Sequence, residues 1–154
     1  MKGFLDIDHS RTNFKLDYRV NGLCMAVPSL KELYAKQLHN RLSAKGNSIY
    51  LDQLHREISS DLPSLKPLYF SEVLNQKTAI LSFNDVRRYI NYDCAVFAGV
   101  IRLSEGPAHT LLIHGYDTGC QEISALHLQK QEMLKMKFKE LEAYFWFETL
   151  IIQI

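Results

Sequence analysis

Several things that would fix a function early are missing from this chain. Three cysteines among 154 residues, none with C-x-x-C spacing, argue against a disulfide framework and a structural zinc site, and at least one thiol is left free. No window approaches eighteen uncharged apolar residues, so no membrane span is predicted. The opening MKGFLDIDHSRTNF breaks its apolar residues with charge too early for a signal-peptide core. The reading is a chain that is cytoplasmic when synthesised, with signal-independent secretion compatible. Excess charge is missing too. Eighteen basic against seventeen acidic residues leave +1, so no whole-molecule field gathers phosphate backbones or anionic lipid, and nucleic acid is not an expected partner. Internal repeats, linkers and low-complexity segments are absent as well.

What is present is ordinary globular composition, 47% apolar and 23% charged with mixed signs. A chain of this length buries about 68–70% of its unfolded surface, enough for one domain over residues 1–154. Residues 1–23 read as an extended lead-in, with Phe14, Leu16, Tyr18 and Val20 alternating against Lys15, Asp17 and Arg19. Pro28 then suits a first helical turn, and Leu30, Leu33, Tyr34, Leu38 and Leu42 recur at three and four until Gly46-Asn47. A second helix is predicted over Leu51–Ile58, capped by Asp52 or Ser48, and ends before Pro63 and Pro67. A helical turn is predicted at Phe70–Leu74, and a helix at Phe83–Ile90 capped by Asn84 or Asp85.

The second half changes character. Cys94–Leu103 and the run from His109 read as neighbouring strands about the loop Ser104-Glu105-Gly106-Pro107. Glu122–Leu128 reads as a third strand, Phe138–Tyr144 as a short helix and Phe147–Ile154 as a nearly uniform apolar strand. Helices first and sheet last give α+β architecture, with helices packed on an antiparallel sheet.

Chemistry centres on Cys24 and His109. Cys24 is predicted immediately ahead of a helix N-terminus, whose unpaired N–H groups and positive dipole end favour a thiolate. Such a site with an imidazolium partner lowers a thiol from about 8.5 to about 3.5–7.5, making it nucleophilic; the alternative is a buried thiol acting as a small apolar residue. His109, at the head of a strand, suits a general base, or equally a structural histidine. His114 lies five residues on, an odd step that turns the two rings to opposite faces and argues against a shared metal among His109, His114, Asp117, Cys120 and His127. Arg87-Arg88 reads as a solvated face, and Phe145-Trp146-Phe147 with Ile151-Ile152 as a core strand and its flank.

Two stretches carry a resemblance. Cys24-Met25-Ala26-Val27-Pro28-Ser29-Leu30 is similar to Cys-Gly-Pro-Ala-Ser-Leu, and His109-Thr-Leu-Leu-Ile-His-Gly115-Tyr116-Asp117 to His-(apolar)-Gly-Tyr-Asp. Both belong to the papain-like fold, closest to the compact bacterial peptidase domains that process bacteriocin leaders in ABC exporters, and their free-standing relatives. The tail from Met136 to Ile154 resembles the closing short helix and last strand of that group. The resemblance implies a cysteine peptidase or related thiol acyl-transfer enzyme without cofactor or metal: Cys24 attacks the carbonyl of a peptide or protein substrate and His109 takes its proton. A bacterial toxin or effector would share this mechanism.

The departures are specific. The family's oxyanion-donating Gln is missing ahead of Cys24, so Asn21 or Arg19 would have to replace it. The acid or amide expected on the strand after Gly-Tyr-Asp is replaced by His127, which leaves Asp117 as the available third residue. These motivate the second reading, a degenerate, catalytically inactive papain-like domain that binds a peptide or protein. Oligomeric state is not legible.

Overall fold

The computed structural model describes residues 2–13, 15–45, 50–73, 79–102 and 106–154. Phe14, Gly46, Asn47, Ser48, Leu74, Leu103, Ser104 and Glu105, used above as strand, breaker, cap, turn and loop positions, lie outside the described residues.

The first difference from the sequence reading decides the site. Where alternation predicts a strand, the chain forms helix α1, Tyr18–Ala26, started by Asp17, whose carboxylate accepts the Arg19 N–H at 2.8 Å. Arg19 through Ala26 are all buried. A helix enclosed on all sides shows no 3.6-residue stripe, and a buried arginine imitates the polar phase of a strand. Helix α2, Glu32–Ala44, and helix α3, Asp52–Asp61, follow in the expected order, with Ala35, Leu38 and Leu42 inward on one and Leu54 and Ile58 on the other. However, α2 starts after Pro28 and Leu30, Leu33 of its predicted stripe is exposed, and α3 has Leu51 at its N-cap in place of Asp52. The predicted helical turn near Phe70 is instead a strand, Leu68–Ser71. Helix α4, Phe83–Asn91, is capped by Ser82, two residues ahead of Asn84 and three ahead of Asp85, in a reciprocal capping box with Asp85.

Seven strands form one sheet among the described residues: β1 (Lys2–Phe4), β2 (Leu68–Ser71), β3 (Cys94–Ile101), β4 (His109–Asp117), β5 (Glu122–His127), β6 (Glu132–Lys137) and β7 (Phe145–Gln153). A short helix, α5 (Phe138–Leu141), links the last two. All pairs are antiparallel, in the order β2-β7-β3-β4-β5-β6, with β1 added to the end of β4 at Gly115–Asp117. The architecture is therefore α+β. β1 and β6 escape the sequence reading for one reason: both are short, mostly exposed strands with no buried run to mark them.

Strand alternation divides the side chains between two faces. Opposed pairs place Phe97, Gly99, Thr110, Leu112, Leu126 and Glu148 on one face, and Val96, Ala98, His109, Leu111 and His127 on the other. Helix α1 lies on the first face. A Cβ on Gly22 would meet Leu128 Cδ1 and Phe97 Cε1 at 2.8 Å, so only glycine allows this approach of helix to sheet. Helix α3 joins it there, with the His55 ring stacked on Tyr69 at 5.4 Å and the Leu51 N–H bonded to Glu148. Helix α4 covers the second face, where Phe83 meets Tyr116 edge-on at 6.4 Å and Asn91 accepts the Tyr116 hydroxyl at 2.6 Å.

Candidate functional site

The N-terminal end of α1 carries Asp17, Tyr18 and Arg19. Asp17 binds the Arg19 side chain twice, at 2.9 and 2.7 Å, while Arg19 also donates to the Tyr50 carbonyl at 2.9 Å. Burial alone would push the Asp17 carboxyl up, but the Arg19 hydrogen bonds and charge hold it below the ordinary carboxylate value. Tyr18 packs against the sheet and is hydrogen-bonded to Thr110, with its phenol pushed up by burial. This end of the helix is thus filled by an ion pair and a tyrosine.

Cys24 is not at that end. It sits in the last turn of α1, 4% exposed, where the negative pole of the helix dipole opposes a thiolate. Burial pushes its thiol up, and the Arg11 charge offsets this only in part. Arg11 caps the end of the helix, donating to the carbonyls of Cys24 at 2.9 Å, Val27 at 2.7 Å and Leu30. Among the described residues no imidazole hydrogen-bonds Cys24 or acts on its titration. The thiol borders a pocket of about 650 Å3 together with Arg11, Thr12 and Glu32.

His109 lies elsewhere. Register turns its side chain to the face of the sheet opposite α1, where its Nδ1 is 2.9 Å from Nε2 of His127. The proton positions follow from chemistry. The Lys130 N–H donates to His127 Nδ1 at 3.1 Å, so that nitrogen is unprotonated and neutral His127 carries its proton on Nε2. His127 therefore donates to His109 Nδ1, and neutral His109 carries its own proton on Nε2. Acting as a base through Nδ1 would break this bond. Burial, then the neighbouring His109 and Lys130, hold the His127 ring below the ordinary imidazole value. His127, on the strand after Gly115-Tyr116-Asp117, lies edge-on to the His109 ring, with centroids 4.8 Å apart.

The other two sequence candidates are committed elsewhere. Asn21 is buried, accepts the Asn13 N–H at 3.1 Å and donates to the Asn13 carbonyl at 2.9 Å, so its amide ties down the loop before α1 and offers an oxyanion nothing. Asp117 is at the far end of β4, eight residues from His109, or about 26 Å along an extended strand. There it accepts the Gly119 N–H at 2.9 Å and pairs with Lys2 at 3.6 Å. The structure thus keeps His109 and Asp117 apart from each other and from Cys24 and Asn21, which lie one turn apart on α1. It brings together instead Asp17 with Arg19, Tyr18 with Thr110, and His109 with His127. The sequence puts His109 and His127 on separate strands without pairing them, while the strand reading hides the helix start that places Tyr18 and Arg19, the latter expected only as a replacement for the missing Gln. Among the described residues no group of three or more His, Cys, Asp or Glu is placed to hold a metal ion, and no helix is long and apolar enough to cross a membrane. Comparison with protein-family models, curated proteins and solved structures gives no match.

Proposed function

We propose that this chain is a papain-like domain without a working thiol nucleophile, which binds a peptide or protein segment and does not turn it over. The papain-like part of the reading is supported by the order of elements: a buried helix, two further helices, a strand headed by His109 and running into Gly115-Tyr116-Asp117, then a short helix and a last strand. The observation that carries the loss of chemistry is the position of Cys24. A nucleophile of this class opens the helix packed on the sheet, where the dipole favours its anion and an imidazole faces it. Here that end carries Tyr18 and Arg19, and the only cysteine of the helix is buried in its last turn.

Competitive labelling tests this. A peptidyl vinyl sulfone and, separately, iodoacetamide are applied between pH 6 and 9 and the modified cysteine is identified by mass spectrometry. Exposed Cys120 is expected to react first, Cys24 more slowly, and His109→Ala to change neither rate. Selective modification of Cys24 at neutral pH that disappears in His109→Ala would overturn the proposal in favour of a cysteine peptidase.

A further inference from the structure

On the face of the sheet away from α1, a pocket of about 700 Å3 opens between the start of α4, α5 and the head of β7. Its apolar wall is Leu81, Phe83, Phe138, Leu141, Tyr144 and Trp146. Phe83 and Phe138 are 5.7 Å apart by ring centroid and Phe138 and Trp146 6.5 Å, so packed rings from three elements fix the wall. The volume falls within the range of about 300–1,000 Å3 typical of ligand sites.

The charged residues described in its lining are of one sign: Asp85 and Glu142 line the pocket, and among the described residues no lysine or arginine does. Asp85 is committed: its carboxylate accepts the Ser82 N–H at 3.1 Å and lies 3.8 Å from Arg88. It thereby occupies the N-terminal end of α4, the feature of the wall that would otherwise favour an anion. Arg102 lies over the Tyr144 ring at 5.7 Å and does not line the pocket. Glu142 is exposed at the rim and makes no ion pair among the described residues, so it sets the sign of the charge that a guest meets.

We propose that this pocket binds a basic peptide, an apolar side chain entering between Phe83, Leu141 and Trp146 while an adjoining lysine or arginine pairs with Glu142. The proposal does not rest on the papain-like reading, since it uses none of the residues around α1 or His109. Trp146 is the chain's single tryptophan, so its emission reports on the pocket directly. The protein is titrated with Ac-Lys-Leu-Lys-Gly-Lys-amide and with its acidic counterpart Ac-Glu-Leu-Glu-Gly-Glu-amide. Amide chemical shifts of Phe83–Val86 and Phe138–Leu141 provide a second measurement should the emission be silent. The basic peptide is expected to give a saturable change that weakens with added salt, and the acidic one to bind about tenfold less tightly. Glu142→Lys, at an exposed position and with an unaltered far-UV spectrum, is expected to weaken the basic peptide about fivefold. Equal affinities for the two peptides, unchanged affinity in Glu142→Lys, or no saturable change by either measurement would overturn it.

Discussion

Two buried titratable residues stand out at the scale of single side chains. Glu148 has no exposed surface; its Oε1 accepts the Leu51 N–H at 2.7 Å and the Tyr69 hydroxyl at 2.9 Å, while Oε2 has no hydrogen-bond partner among the described residues. Gly99 stands opposite because a Cβ there would lie 2.7 Å from that oxygen. Burial pushes the Glu148 carboxyl from 4.5 to about 7, against the pull of Leu51 and Tyr69. His114, whose Nε2 likewise has no partner among the described residues, is driven by burial from 6.5 to about 4. Folded protein holds the Glu148 proton more tightly than unfolded chain does, so that contribution to stability is complete below about pH 4.5 and lost as pH rises to about 7. For His114 the unfolded chain binds the proton more tightly, so its contribution is complete above pH 6.5 and lost as pH falls to about 4. Each displacement is worth on the order of 3 kcal/mol, and across the shared window they cancel. Glu148→Gln is therefore expected to stabilise the protein at pH 8 by about 2 kcal/mol and to expose a loss of stability toward acid. His114→Gln should expose the opposite slope. Urea midpoints at pH 5 and pH 8 check both; an unaltered pH profile in Glu148→Gln would remove the buried-acid account.

Secondary-structure elements were legible in proportion to how unevenly they are buried. Helices α2 and α3, with one buried stripe each, and strands β3, β4, β5 and β7, with long apolar runs, are found where the sequence puts them. Helix α1 fails in the opposite sense from β6, one enclosed on every side and the other mostly exposed, and neither shows a period. The consequence for the site is large, because moving the helix start from beyond Cys24 to Tyr18 carries the thiol from the favourable to the unfavourable pole. The α1–sheet contact is open to a direct test at Gly22. Alanine would gain about 1 kcal/mol in helix propensity. It would also force a methyl to 2.8 Å from Leu128 and Phe97. Overpacking is expected to win, with a net loss of about 1–2 kcal/mol by urea denaturation; a stabilised Gly22→Ala would show that α1 has room to lift from the sheet.

For the molecule as a whole, buried residues from α1–α5 and the sheet join one apolar cluster. Unfolding in urea is accordingly expected to be a single transition, with Trp146 emission, which reports on β7 and α5, coinciding with far-UV ellipticity dominated by α1–α4. Separated midpoints would divide the chain into two cooperative units. By itself the sequence determined the class of architecture, because the succession of 3.6-residue stripes and then β-rich runs survives local error. It also determined that His109 heads a strand. Tertiary structure alone decided which of these groups meet. The face on which His109 lies depends on strand register, and the pole at which Cys24 lies depends on where a helix without a polar side begins. Both are set by packing against partners distant in the chain, and neither leaves a periodic mark in it.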